Sequence, residues 1–203
     1  MNLLLRLYPV PNGKIFIDGQ DINSIPLKDL RDSICYITQD NFLFSTTLRE
    51  NVKLFKDGYE EEDIKESTKN AMIYDDIEKM RNGIDTVLGE DGTNLSGGQK
   101  QRVVISRAFL NKSNIIIFDD VLSKVDNITK QKIKNNLRKY DKDVITIYIT
   151  QDLSNIPSNA TVFFIDNKKI IVSEQINLIE ANKNYYNLIE ICNNMIGGAN
   201  EQI

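Results

Sequence analysis

Apolar and polar positions follow two different periods along the chain, and each change of period predicts an element. Gly13 to Ile17 alternates into an apolar strand that ends at the turn Asp18-Gly19, and Ile34-Cys35-Tyr36-Ile37-Thr38 predicts a second strand. Between them, Ser24 and Pro26 introduce a short helical stretch through Leu30. Residues 60–80 are charged and lack strand alternation, with Ile64, Ala71, Met72 and Ile73 as the apolar positions of a helical region. A polar connection, Gly83 to Gly92, follows. Ser96 opens a stronger helix: it forms a capping box with Gln99, and Val103, Val104, Ala108 and Phe109 share one face until Leu110-Asn111 ends it. Ile115-Ile116-Ile117-Phe118 is a continuous apolar run closed by Asp119-Asp120, as expected of a strand covered on both faces in a parallel sheet. A helix over 127–139, a β-branched strand over 144–150 ending at Gln151, strands over 161–165 and 169–172, a helical stretch over 174–195 and a frayed Gly197-Gly198-Ala199-Asn200 tail complete the pattern.

Strands alternating with helices predict an α/β layer structure with a largely parallel sheet. Function in such sheets gathers at the carboxyl ends of the strands, which singles out Gln39, Asp119, Asp120 and Gln151. Composition narrows the chemistry. The 203 residues are 41% hydrophobic, enough for an ordinary core. With 27% charged residues and a net charge of -4, the chain has no basic excess to attract nucleic acid. It contains no histidine, which excludes a Ser-His-Asp triad and imidazole zinc ligands. Cys35 and Cys192 stand far apart in no metal-binding spacing and read as packed thiols of a reducing compartment. No run approaches the ~20 apolar residues that cross a bilayer. Met1 to Leu7 is broken by Arg6 and then meets Pro9 and Pro11, so it reads as the end of a helix and not as a signal sequence.

The sharpest chemical signal is Leu95-Ser96-Gly97-Gly98-Gln99, which puts a hydroxyl, two glycine N–H groups and the positive end of a helix dipole where an anionic oxygen can approach. About twenty residues on lies the apolar strand ending in Asp119, an acidic strand end of the kind that holds Mg²⁺ beside phosphates. Together, Leu95 to Arg102 and Ile115 to Asp120 resemble the signature and Walker B motifs of the ATP-binding cassette (ABC) transporters. The resemblance extends along nearly the whole chain. Tyr36 to Asp40 resembles the Q-loop, which implies that Gln39 ligates Mg²⁺ or positions water. Phe44 to Val52 and Gly89-Glu90-Asp91-Gly92 resemble exporter segments, the second being a loop that contacts coupling helices. Ser123-Lys124-Val125-Asp126 occupies the D-loop position, with Asp126 facing a partner, and Gln151 stands where the family has its switch histidine.

The resemblance implies a P-loop NTPase-like ABC ATPase domain, with a parallel core sheet and a helical signature subdomain at about 53–112 inside a cassette spanning 1–176, and a C-terminal helix and tail over 177–203. It implies ATP and Mg²⁺ as cofactors, with Asp119 and Gln39 toward the metal. Its implied partners are a second, different cassette and the transmembrane domains of an exporter, with no nucleic acid, at the cytoplasmic face of the membrane.

Three departures qualify this picture. No Gly-x-x-x-x-Gly-Lys-Ser/Thr occurs in the sequence, and Gly13-Lys14 is a decoy before a strand; the expectation is a fragment lacking its N-terminal strands and phosphate loop. Asp120 stands where hydrolysing members carry glutamate, one methylene short of the reach a general base needs. Gln151 cannot become a cation. Asp120 with Gln151 resembles the degenerate half of heterodimeric exporters, so Leu95, Ser96, Gly97, Gly98 and Gln99 are expected to complete a partner's ATP site. Beside a transporter ATPase domain, the sequence leaves open a non-hydrolysing interaction module and a gene remnant without function; poor solubility of the isolated chain is the further expectation.

Overall fold

A computed structural model describes residues 1–111, 113–140, 144–151, 153, 156, 160–166, 168–174 and 184–190. The chain divides into two compact units, Met1–Ile149 and Thr150–Ile203.

The first unit is organised on a three-stranded parallel sheet. β1 (Phe16–Ile17) and β2 (Gln20–Asp21) form a short antiparallel hairpin around Asp18-Gly19, both residues with positive φ. α1 (Leu27–Asp32) leads into β3 (Ile34–Ile37), and β3 pairs in parallel with β4 (Ile115–Asp119), which pairs in parallel with β5 (Ile145–Ile149). β4 is central and its first four residues are buried, which is why its apolar run is continuous and does not alternate. The parallel order requires long crossovers, and these hold the helices. Between β3 and β4 come α2 (Leu48–Lys53), α3 (Glu61–Asn70), α4 (Tyr74–Glu78) and α5 (Gly97–Leu110), while α6 (Asn127–Tyr140) joins β4 to β5. The helical region anticipated over 60–80 is two helices, because Met72 takes a positive φ between α3 and α4.

Met1–Leu7 has the geometry of a helix end. Leu7 N–H bonds Asn2 C=O and Arg6 N–H bonds Leu3 C=O, with Arg6 left-handed, the two bonds of a Schellman motif. The main core joins β3 and β4 to the buried faces of α2, α3, α5 and α6, through Val52, Ile64, Val104, Phe109, Phe118 and Ile133. A second cluster on Ile22, Leu30, Ile34, Ile115 and Ile117 takes in Leu4 and Leu5. Both faces of β4 are thus covered, and Asp119 at its carboxyl end is held by a rigid strand.

In the second unit, β6 (Thr161–Asp166) and β7 (Lys169–Glu174) form an antiparallel hairpin, and residues 184–190 form a helix whose Tyr185 ring packs edge-on against Phe164 at 5.1 Å. Of the helical stretch expected over 174–195, Glu174 instead closes β7, while residues 175–183 and 191–195, with the Gly197-Gly198 tail, lie outside the described residues. Among the described residues no helix is long and apolar enough to cross a membrane.

Candidate functional site

Ser96 caps α5 reciprocally. Its Oγ accepts from Gln99 N–H at 3.2 Å, and Gln99 Oε1 accepts from Ser96 N–H at 3.0 Å. Because Oγ is used as an acceptor, its own proton is free to point outward. The N–H groups of Gly97 and Gly98, the first two of the helix, bond to nothing among the described residues, as expected of helix-terminal donors. Leu95 is buried and anchors the turn, whereas Ser96 and Gly97 are exposed and Gly98 is half-buried. The helix end therefore faces outward from its own unit.

Two networks fix its direction. Asp76, on α4, accepts from Gln99 Nε2 at 3.0 Å and from Arg102 Nη1 at 2.8 Å, and the same Arg102 nitrogen donates to Met72 C=O. Gln101 is fully buried one turn inside α5; its Oε1 accepts from Lys124 N–H at 2.9 Å. Neither Asp76 nor Gln101 was singled out from the sequence. Gln101 was detectable, since it falls on the helix face shared by Val104 and Ala108, where a polar side chain needs a partner.

At the carboxyl ends of the strands, the half-buried Asp119 accepts from Tyr36 Oη at 2.6 Å. Tyr36 pairs with Ile117 across the sheet, so it stands two residues behind Asp119 on the same face. Burial first, then the hydrogen bond and charge of Asp119, push the Tyr36 phenol up to about 12, so at neutral pH it is a fixed donor to the carboxylate. Gln39, exposed just beyond β3, donates to Asp120 Oδ2 at 3.4 Å. Asp120 N–H donates to Ile149 C=O at 2.8 Å, and its φ of 48° lies in the left-handed region, which short polar Asp tolerates better than most residues. The structure thus brings Gln39, Asp119 and Asp120 together. Gln151 is exposed and belongs to the second unit.

The loop after Asp120 is tied to it, with Ser123 Oγ donating to Asp120 C=O at 3.1 Å. Asp126 caps α6, accepting from Thr129 N–H at 2.9 Å, and that bond holds its carboxyl below the usual carboxylate range. Ser123, Lys124 and Asp126 are exposed, while Val125 is buried beneath them.

The segments from Phe44 to Val52 and Gly89 to Gly92 are also well defined. Asn51 is fully buried and spends its amide on Phe44 N–H, Phe44 C=O and Thr47 C=O, while Thr47 caps α2. Phe42, Phe44 and Phe55 form an exposed edge-to-face aromatic row. Glu90 is exposed in a 3-10 turn. A cavity of about 410 Å³ lies elsewhere, lined by Arg31, Cys35, Tyr59, Arg107 and their neighbours; it includes none of Ser96, Gly97, Asp119 or Asp120.

Comparison with known proteins agrees with this arrangement. Residues 1–123 match the family described as ABC transporter. The chain is 40% identical over 156 residues to an uncharacterized ABC transporter ATP-binding protein of Sinorhizobium fredii, covering 77% of this chain and 27% of that protein. It is 37% identical over 171 residues to the ATP-dependent lipid A-core flippase of Vibrio parahaemolyticus, covering 84% of this chain and 29% of the flippase. A bacterial Atm1-family ABC exporter solved with ATP bound superposes with a TM-score of 0.86 at 33% identity, over 92% of this chain and 33% of the exporter. The chain thus spans about a third or less of the proteins it resembles. A parallel sheet ending in Asp119, a capped Ser-Gly-Gly helix start and this kinship lead to one conclusion: the chain belongs to the ABC transporter family, as an exporter-type nucleotide-binding domain.

Proposed function

We propose that this ATP-binding domain works as the degenerate half of a heterodimeric exporter, completing a partner cassette's ATP site with its own signature segment. The observation that carries the reading is the outward-facing start of α5. The Ser96 hydroxyl and the unpaired N–H groups of Gly97 and Gly98 converge there, and no side chain at 97 or 98 blocks close approach of a phosphate. Leu95 and Gln99 set the turn from below, and Ser123 and Asp126 lie on the adjacent exposed loop.

On its own side, the chain would hold Mg²⁺ through Asp119 and Gln39. The donors fit: both offer oxygen, and Mg²⁺ characteristically takes one or two protein oxygens together with phosphates and water. Among the described residues no cluster of three or more acidic, cysteine or histidine side chains could hold a metal without such help. When bound, the metal would neutralise charge on the phosphates. Tyr36 keeps the Asp119 carboxylate oriented. Asp120 reaches about 1.5 Å less far than glutamate, and Gln39 and Ser123 engage its side chain and backbone. A nucleotide held at Asp119 and Asp120 would therefore turn over slowly, and Gln151, at the sequence position of the family's switch histidine, cannot take up charge.

The wider assignment follows the same line: a helical signature subdomain over 53–112 within a cassette of 1–176, a C-terminal helix and tail over 177–203, transmembrane domains engaged through the Gly89 to Gly92 loop beside the exporter-like Phe44 to Val52 segment, and a place at the cytoplasmic face of the membrane. The test is to mix the chain with the nucleotide-binding domain of the Atm1-family exporter and follow ATP turnover. Stimulation that disappears with Gly97→Asp supports the reading. Equal stimulation by Gly97→Asp, or brisk hydrolysis by this chain alone with Asp120 and Gln151 unchanged, contradicts it.

A further inference from the structure

We propose that Gln101 is a positioning residue that locks the Ser123 to Asp126 loop onto the start of α5, so that the two segments offered to a partner cassette move as one body. The inference rests on the composite-site reading above for its consequence, but its geometry stands alone. Gln101 is fully buried on a helix face otherwise made of Val104 and Ala108. A buried amide without partners is costly, and this one finds its partners in the loop: Oε1 accepts from Lys124 N–H at 2.9 Å, and Nε2 makes a long contact of 3.5 Å with Ser123 Oγ.

The same peptide stretch is gripped from a second side. A Cβ at Gly98 would lie 3.2 Å from Lys124 C=O, closer than most such contacts, so the loop backbone packs directly on the signature glycine. Lys124 therefore has its N–H held by the second turn of α5 and its carbonyl pressed against the first. Ser123 Oγ carries the connection on to Asp120 C=O at 3.1 Å. A path of direct contacts thus joins the helix end that would touch a partner's nucleotide to the backbone of Asp120 in this chain's own site. An apolar residue at 101 would pack as well but would not select one loop position; a hydrogen-bonded amide does.

The experiment compares Gln101→Met, similar in length and apolar, with Gln101→Glu, which keeps an acceptor toward Lys124 N–H. Amide exchange of the isolated chain reads the lock directly. Lys124 exchange should accelerate about tenfold in Gln101→Met, matching the loss of one hydrogen bond, with the Val103 to Leu110 amides unchanged; Gln101→Glu should restore most of the protection. In mixtures with the Atm1-family nucleotide-binding domain and Mg-ATP, Gln101→Met should raise the ATP concentration needed for pairing about tenfold, and Gln101→Glu should need less. Lys124 exchanging equally fast in wild type and Gln101→Met overturns the lock. Unchanged ATP dependence in Gln101→Met overturns its role in presentation. Failure of the wild-type chain to pair at all is a failure of the composite-site reading, and Lys124 exchange then still decides the placement of Gln101.

Discussion

At the residue scale, the two signature glycines are under different constraints. A Cβ at Gly97 would meet only the flexible Lys124 side chain, at 3.6 Å, whereas one at Gly98 would press on the Lys124 carbonyl at 3.2 Å. Gly97→Ala should therefore leave thermal stability unchanged or slightly raised, since alanine favours helix. Gly98→Ala should be less stable than Gly97→Ala by about 1 kcal/mol, the low end for an overpacked contact. Urea denaturation of both variants checks the order. Tyr36 yields a pH prediction. Its folded pKa is raised to about 12 by burial and by Asp119, so its contribution to stability is complete below the ordinary phenol value near 10 and is lost between there and 12. Tyr148 is 41% exposed, but its phenol hydroxyl is desolvated and likewise raised to about 12, and it acts in the same direction. Alkaline melts should show stability falling above pH 10, with a shallower fall in Tyr36→Phe; an equal slope in that variant would remove Tyr36 as a source.

At the element scale, α5 is aimed by its neighbours more than by its own propensity. Asp76 receives both Gln99 and Arg102, linking α4 to the first two turns of α5. The Asp76 and Arg102 side chains are 29% and 19% exposed, so the pair is partly shielded from water. Asp76→Ala should cost about 2 kcal/mol, the usual range for hydrogen bonds to a charged group, and should loosen the Gly97 to Arg102 amides more than those of α6. Uniform loosening would mean that Asp76 supports the fold at large and not the helix start. Arg49 plays a comparable part at the next junction, bonded to Glu61 and, at 2.7 Å, to Asp85.

For the whole molecule, much of the architecture was legible in the sequence because its signals are local. The continuous apolar run of β4, the Ser96–Gln99 capping box and the acidic strand end each follow from adjacent residues, and all three are present. What was hidden depends on pairing between distant segments. Nothing near Tyr36 announces that parallel register will bring its hydroxyl to Asp119, 83 positions away, and the lock between Gln101 and Lys124 needs the crossover to return beside α5. The break at Met72 was also hidden, because only a left-handed residue, and no glycine or proline, marks it.

The sheet itself yields a prediction at this scale. β5 has β4 on one side and no strand on the other among the described residues, with Ile145 59%, Tyr148 41% and Ile149 38% exposed. An open apolar edge of this kind recruits other chains. The isolated chain should self-associate, and Ile145→Lys should reduce light scattering without lowering the melting temperature; unchanged scattering would place the sticky surface elsewhere.

The most direct test of the central claim is sedimentation of this chain with the Atm1-family nucleotide-binding domain, with and without Mg-ATP. The account predicts a heterodimer that forms with ATP and is lost when Ser96→Ala and Gly97→Asp remove the hydroxyl and block the glycine approach. Pairing that ignores ATP, or survives both substitutions, would contradict it.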